Sequence, residues 1–311
     1  MIKCTICGVR EAFYARLYSG EKLCPRCFIK SIEDKVRATI ARYNMFEFND
    51  RIAVAVSGGK DSISLLHILS RIERDFPKAS LCAVTVDEGI KGYRDEAIKI
   101  VVENCEKLGV EYFMVSFKEL YGYTLDEIVE RIKRKEIGLT PCSYCGVLRR
   151  KALNIAAKKT GATKLATAHN LDDEIQTFML NIVHGDPLRI ARTAPVFEDE
   201  EPTLVPRVKP LCEILEKEIT LYAYLRKIRF QENPCPYAEF ALRNDIRNTL
   251  NRLEEKHPGI KYTIYRSAER IREMIRDKIP KITLNECKIC GGPTVGEVCQ
   301  ACQLLQNIKK T

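Results

Sequence analysis

Residues 53–66 read AVAVSGGKDSISLL, and their types restrict the chemistry they can do. Two adjacent glycines let backbone approach a ligand, and a helix starting just after them presents unpaired N–H groups that favour anions. Phosphate suits such a turn. Ser57, Gly58, Gly59 and Ser62 can donate backbone and hydroxyl hydrogen bonds to it, and Lys60 can offset charge as a phosphate leaves. Asp61 would repel phosphate, so its carboxylate better suits Mg²⁺, unless it serves only to favour the helix N-terminus. The P-loop spacing GxxxxGK[ST] is absent, because both glycines directly precede the lysine.

Fourteen cysteines form the second chemical signal. Cys4, Cys7, Cys24 and Cys27 make two CxxC knuckles a short hairpin apart, and Cys287, Cys290, Cys299 and Cys302 repeat the arrangement. Each set offers four thiolates to one tetrahedral ion, and a saturated quartet leaves no position open for catalysis, so two structural Zn²⁺ ions are expected. Cys82 lies in an apolar run and Cys105 on the stripe Ile98, Val101, Val102, Leu108, which suits small core residues. Cys142 and Cys145 in PCSYC, with Cys235 in NPCPY, are one thiolate short of a closed zinc site. Three arrangements stay open for them: a third zinc with Cys212 as fourth ligand, an iron–sulfur cluster with one iron free, or a metal-free persulfide on Cys142 or Cys235.

Positioning these groups requires a sheet. RIAVAVS, LCAVTVD, VEYFMVSF and TKLATAHN are short apolar runs, each followed by helical sequence. That alternation implies parallel pairing and right-handed crossovers, hence an α/β, doubly wound parallel sheet. Ligands bind beyond the carboxyl ends of such strands, where SGGKDS, VDEG at 86–89 and ATAHNLDDE at 166–174 all fall. Ala55 and Val56 line the strand end there, Val86 on the next strand is placed to flank adenine, and Ala168 is small where phosphate comes close. His169 is ambiguous between structure and catalysis. Asp172 and Asp173 open a helix, where capping alone would explain them. The proline-rich stretch from Leu188 to Pro210 reads as an irregular cover, and helical sequence runs from Ile246 to about Asp277.

Composition narrows the class. The chain of 311 residues carries 51 Lys+Arg against 42 Asp+Glu, a formal charge of +9 that favours a polyanionic partner. No apolar run is long enough for a membrane span and no signal-peptide core is visible, so a cytoplasmic protein without membrane contact is expected. RIKRKE at 131–136, RRK at 149–151 and basic residues along 261–281 can track phosphates or simply form solvated helix faces.

SGGKDS resembles the PP-loop of ATP pyrophosphatases. Together with VDEG, TPCSYCG, ATAHNLDDE, VPRVKPL and the two ribbons, it makes the chain similar to the TtuA group of tRNA 2-thiouridine synthetases over nearly its whole length. The resemblance implies a PP-loop ATPase fold over 51–220, between a zinc ribbon at 1–30, a linker helix at 31–50, a tRNA-facing helical extension at 221–282 and a second ribbon at 283–311. It implies catalytic roles for Lys60, Asp61, Asp173, Cys142 and Cys235, and ATP contacts from Ala55, Val56, Ser57, Gly58, Gly59, Lys60, Asp61, Ser62, Val86, Arg149 and Ala168. It also implies a [4Fe–4S] cluster on Cys142, Cys145 and Cys235, a ubiquitin-like thiocarboxylate sulfur carrier and a homodimer. The expected reaction is adenylation of a tRNA uridine at its C2 oxygen, then sulfur transfer, at position 54 of the T-loop. Wobble uridine 34, cytidine thiolation and lysidine formation are the related alternatives, and a zinc-ribbon RNA-binding scaffold is the alternative of another class.

Overall fold

The computed structural model describes residues 2–134, 138–191, 193–197, 204–237, 242–276 and 284–309. The hairpin of β1 (Tyr14–Arg16) and β2 (Glu21–Leu23) separates the first two knuckles and leads into α1 (Pro25–Arg42). Pro25 suits the first helical position, where its missing N–H breaks no bond. The linker helix expected over 31–50 therefore starts earlier, directly after the second knuckle.

The central domain runs β3 (Arg51–Ala55), α2 (Lys60–Glu73), β4 (Ser80–Asp87), α3 (Tyr93–Leu108), β5 (Glu111–Ser116), α4 (Phe117–Tyr121), α5 (Leu125–Arg134), α6 (Pro141–Lys159), β6 (Lys164–Ala166), α7 (Leu171–Val183), α8 (Pro187–Ala191), β7 (Val196–Phe197), β8 (Arg207–Val208) and α9 (Glu216–Leu225). The strands pair in the order β5-β4-β3-β6-β8-β7, all parallel except the edge strand β7. The doubly wound parallel sheet is as expected. Strand order reverses between β3 and β6, which opens a crevice at their carboxyl ends.

Alternating residues of β3 feed two cores. Ile52 and Val54 pack with α1, α2 and α9, whereas Ala53 joins Val84 and Val86 under α5 and α6. Each core also takes one ribbon module. Cys4, Leu23 and Cys24 belong to the first, and Ala301, Leu304 and Ile308 of α12 (Gln300–Lys309) to the second. The second ribbon itself holds the hairpin of β9 (Asn285–Glu286) and β10 (Pro293–Thr294).

Two expectations change. The helical run from Ile246 is two helices, α10 (Leu242–Lys256) and α11 (Ile260–Arg276), because Pro258 cannot continue the hydrogen-bond ladder and Gly259 takes a positive φ of 96°. Both pack on α7. The stretch 188–210 is not wholly irregular: it holds the end of α8 and the strands β7 and β8, each only two residues long and so too short to show a period. Residues 192 and 198–203 of that expected cover lie outside the described residues, as do parts of the basic stretches 131–136 and 261–281.

One buried ion pair fastens the first ribbon. Arg16 donates from Nε to Glu218 Oε1 at 2.8 Å, and Glu218 is fully buried. Tyr18 donates to the same carboxylate at 3.2 Å and packs against Tyr262 of α11 with centroids 4.7 Å apart and rings tilted by 53°. Removing the carboxylate leaves a buried guanidinium without that partner. Glu218→Ala is expected to cost about 3–5 kcal/mol, read by denaturant unfolding; a loss under about 1 kcal/mol would show that the pair is not what holds the ribbon.

Candidate functional site

The turn after β3 is fixed from below. Gly58 has φ 94°, and a Cβ there would lie 2.9 Å from Ala97 Cβ, so the turn rests directly on α3. Arg94, buried on the same helix, donates to the carbonyls of Ser57 and Val86, both at 2.7 Å, and its Nε lies 2.8 Å from buried Glu88. Ser62 Oγ accepts from Ser57 N at 3.1 Å and donates to Gly59 O at 2.9 Å. Gly59 is an extended N-cap without a side chain, so the first N–H groups of α2 remain available to an anion.

A cavity of about 260 Å³ opens above this turn. Ala55, Val56, Ser57, Gly59, Asp61, Ser62, Val86, Arg149 and Ala168 line it, so most of the expected nucleotide contacts converge. Gly58 and Lys60 do not line it: Gly58 faces α3, and Lys60 Nζ lies 2.8 Å from Glu216 Oε1 and 3.0 Å from Asp61 Oδ2. Glu88, Arg94, Leu153, Thr167 and His169 complete the wall. Glu88 stood within the flagged VDEG, whereas nothing in the sequence marks Arg94 or Glu216.

Asp61 carries the strongest electrostatic signal. Burial pushes its carboxyl up to about 6, against the pull of Lys60. Its Oδ1 is buried with no hydrogen-bond partner among the described residues. A buried, unpaired carboxylate oxygen beside a phosphate cradle is what a hard, oxygen-seeking cation completes, so the donor set fits Mg²⁺. Lys60 is held above its ordinary value: burial alone would lower it, but the Asp61 and Glu216 carboxylates outweigh that.

The opposite wall comes from the end of β6. Thr167 Oγ1 and His169 Nδ1 are 3.0 Å apart, and burial, aided by Lys209, lowers the histidine's pKa, favouring neutral imidazole. Asp173 is placed differently from a cavity residue. It accepts from Asn170 N at 3.2 Å and donates its own N–H to Asn170 Oδ1 at 3.0 Å, closing a capping box at the start of α7. Its charge still raises the Asp61 pKa. Asp172 is buried, ion-paired with Lys261 and bonded to Glu216 N at 2.8 Å, which ties α7 to α9 and α11.

The sulfur atoms of Cys4, Cys7, Cys24 and Cys27 all lie within 4.8 Å of one another, as do those of Cys287, Cys290, Cys299 and Cys302. Backbone amides, first among them that of Cys7 and that of Cys299, lower Cys4 and Cys287 to about 6, which favours thiolate ligands. Cys142 and Cys145 occupy the first turns of α6 after the N-cap Thr140, and Cys142 Sγ donates to Tyr237 O at 3.3 Å in the loop that carries Cys235. Burial first, with smaller contributions from the nearby Cys235 and Cys142, pushes the Cys145 thiol up to about 11. Cys212 is not with them. It is fully buried beside Tyr265 in the core on the other face of the sheet, so it cannot serve as a fourth ligand. Cys82 and Cys105 are core residues, as expected.

Residues 30–254 match the PP-loop domain, and residues 3–29 match the N-terminal LIM domain of 2-thiouridine synthetase TtuA. A probable sulfurtransferase of Methanocaldococcus jannaschii is 39% identical over 306 residues, covering 98% of this chain and 87% of the relative. The cytoplasmic tRNA 2-thiolation protein 1 of Chlamydomonas reinhardtii is 39% identical over 310 residues, covering 99% and 85%. The chain belongs to the PP-loop tRNA 2-thiolation family. Among solved structures, the U34-tRNA thiolase NcsA of Methanococcus maripaludis with its [4Fe–4S] cluster superposes with TM-score 0.85 at 37% identity, covering 99% of this chain and 96% of that one. The expected TtuA resemblance is thus corrected: it attaches to the first ribbon, and the full-length likeness within this family is to an NcsA-type thiolase.

The position of Asp61 makes a pH prediction. The ionised carboxylate binds the cation, so lowering pH through about 6 should weaken Mg²⁺-nucleotide binding, by about 10-fold per pH unit at the limit. Calorimetry between pH 5 and 7.5 on wild type and Asp61→Asn tests it, since titration of the nucleotide itself is common to both and cancels. The same pH dependence in both proteins would contradict the assignment.

Proposed function

We propose that this protein activates a tRNA uridine with ATP and replaces its C2 oxygen with sulfur, and that the uridine is wobble position 34. One observation carries the reading: α6 bears Cys142 and Cys145 at its start and Arg149 on the wall of the nucleotide cavity, so a sulfur site and a nucleotide site share one rigid helix. The named activity of the solved relative supports position 34. The T-loop position expected from the TtuA resemblance loses ground because that likeness is concentrated in residues 3–29.

In this reading the base of ATP lies against Ala55 and Val86, and its phosphates lie over Ser57, Gly59 and the start of α2. Lys60 exchanges Glu216 for phosphate oxygens, which needs only a side-chain rotation from its present ion pair. Asp61 would hold Mg²⁺, which supplies charge neutralisation as pyrophosphate departs. The uridine C2 oxygen attacks the α-phosphate, the bond to the β-phosphate breaks, and pyrophosphate carries away the electron pair. A sulfide-level nucleophile then adds at C2, and AMP leaves with the original oxygen, giving 2-thiouridine. Neutral His169 and its partner Thr167 stand where they can order the acceptor base or water.

Cys142 and Cys145 at the start of α6, with Cys142 bonded into the loop that carries Cys235, would supply the three thiolates that a [4Fe–4S] cluster with one free iron needs, and the name of the solved relative supports such a cluster. When bound, such a cluster supplies an iron position that can take up sulfur. The thiolate quartets suit structural Zn²⁺. A ubiquitin-like carrier with a terminal thiocarboxylate remains the sulfur source implied by the resemblance, and the name of the Chlamydomonas relative supports a cytoplasmic setting.

Nucleoside mass spectrometry of tRNA, mapped to position, tests this reading. Cells lacking the protein should lose 2-thiouridine at position 34, and wild type should restore it. Lys60→Ala should fail to restore it, with tRNA-dependent pyrophosphate release reduced about 10²- to 10³-fold. Loss at position 54 with position 34 intact would overturn the target, and thiolation unchanged at both would overturn the function.

A further inference from the structure

A second cavity, of about 420 Å³, lies in the seam between α6 and the second ribbon. It is larger than the nucleotide cavity, and nothing in the proposed chemistry uses it. Arg150, Lys151, Lys158 and Arg207 line it, and no acidic side chain does so among the described residues. Val147, Ile155 and Pro293 supply apolar wall, and Gly291 and Gly292 bring bare backbone to the rim.

The cations have separate tasks. Lys151 Nζ lies 3.0 Å from Cys290 Sγ and 3.7 Å from Cys299 Sγ, so it answers the charge of the ribbon thiolates and holds the ribbon on α6. Arg150, Lys158 and Arg207 form no ion pair with a described carboxylate. Arg207 donates to the Arg150 carbonyl at 3.3 Å, which brings the two guanidinium-bearing residues to one wall. Both guanidiniums are held below the ordinary arginine value, first by burial and then by a neighbouring arginine, Arg149 for Arg150 and Arg150 for Arg207. Arg150 is exposed and Arg207 half-buried, and neighbouring like charges of this kind are stabilised by an anion with several acceptor oxygens.

Arg149 and Arg150 are consecutive on α6 and divide two sites between them. Arg149 lines the nucleotide cavity and Arg150 the seam. From Cys142 to Arg150 the helix rises about 12 Å. A polyanion threaded through the seam would therefore run beside the reacting centre.

We propose that the seam between α6 and the second ribbon, through Arg150, Lys158 and Arg207, grips the ribose–phosphate backbone of the tRNA substrate and sets its register on the enzyme. This rests on the tRNA-thiolase reading above. The mixed lining favours RNA, since guanidiniums take the phosphate while the apolar wall covers ribose or base.

The test is tRNA binding by the full-length protein as a function of salt. Arg150→Gln/Arg207→Gln should weaken binding roughly 10- to 50-fold at low salt and make the slope of log affinity against log salt shallower by about 1.4–1.8, at about 0.7–0.9 for each phosphate no longer neutralised. Lys158→Gln, at an exposed position, should make it shallower by about 0.7–0.9 without the risk of misfolding that attends the double variant. Arg74→Gln, exposed at the end of α2, is the control and should leave the slope as in wild type. Slopes and affinities of the seam variants equal to wild type would overturn the proposal while leaving the thiolase reading intact. A wild-type chain that binds no tRNA would overturn both. Inorganic phosphate bound by wild type and not by the double variant, with tRNA affinity the same in the two, would assign the seam to a free anion and also overturn it. Normal tRNA binding by the seam variants, with loss of binding to an acidic ubiquitin-like protein, would assign the seam to a protein partner instead.

Discussion

The missing side chain at Gly58 is the constraint on which the site depends. Only without a Cβ can the turn after β3 rest on Ala97, and only in that position does Arg94 reach the carbonyls of Ser57 and Val86. The clamp turns those carbonyls toward a buried guanidinium. The N–H groups at the start of α2 are thereby left to face the cavity. A phosphate-binding turn needs donors already oriented before the charge arrives, and here the orientation is set by packing against a helix.

Charge is distributed around that turn so that each cation has a holding partner. Lys60 rests between Asp61 and Glu216, Arg94 beside Glu88, and Arg149 has Glu88 at 3.6 Å. Glu88 thus stands between the clamp beneath the phosphates and the arginine nearest the thiolates. Glu216 is linked through Asp172 to Lys261, and so connects the PP-loop to the helices packed outside α7. The reactive centre is in this way joined to the ribbons and helical extension by buried polar contacts as well as apolar packing.

Much of this was legible in the sequence because it is local. The apolar runs of β3 and β4, the glycines before Lys60 and the paired CxxC knuckles each announce themselves within a few residues. The small residues Ala55 and Ala168 could be placed because strand ends place them. What escaped is non-local. Glu216 meets Lys60 across 156 positions, and Arg94 reads as one more charge on an amphipathic helix until its helix is seen packed beneath the turn. Cys235 joins Cys142 and Cys145 in the sequence only as a thiol left outside the two quartets, since no period links them, and only the family likeness makes the three a cluster site. Pro258-Gly259 was a legible break that the helical pattern on either side outweighed. Cys212 shows the converse: a thiol that suited a fourth ligand by type alone is separated from the trio by the sheet.

The account stands on ATP being cleaved between its α and β phosphates by an oxygen that belongs to the tRNA. The most direct measurement is isotopic: tRNA carrying ¹⁸O at C2 of the target uridine is incubated with ATP, a sulfur donor and the purified protein, and the nucleotide products are analysed by mass spectrometry. The account predicts one ¹⁸O in AMP for each 2-thiouridine formed. Unlabelled AMP, or ADP with orthophosphate in its place, would contradict it.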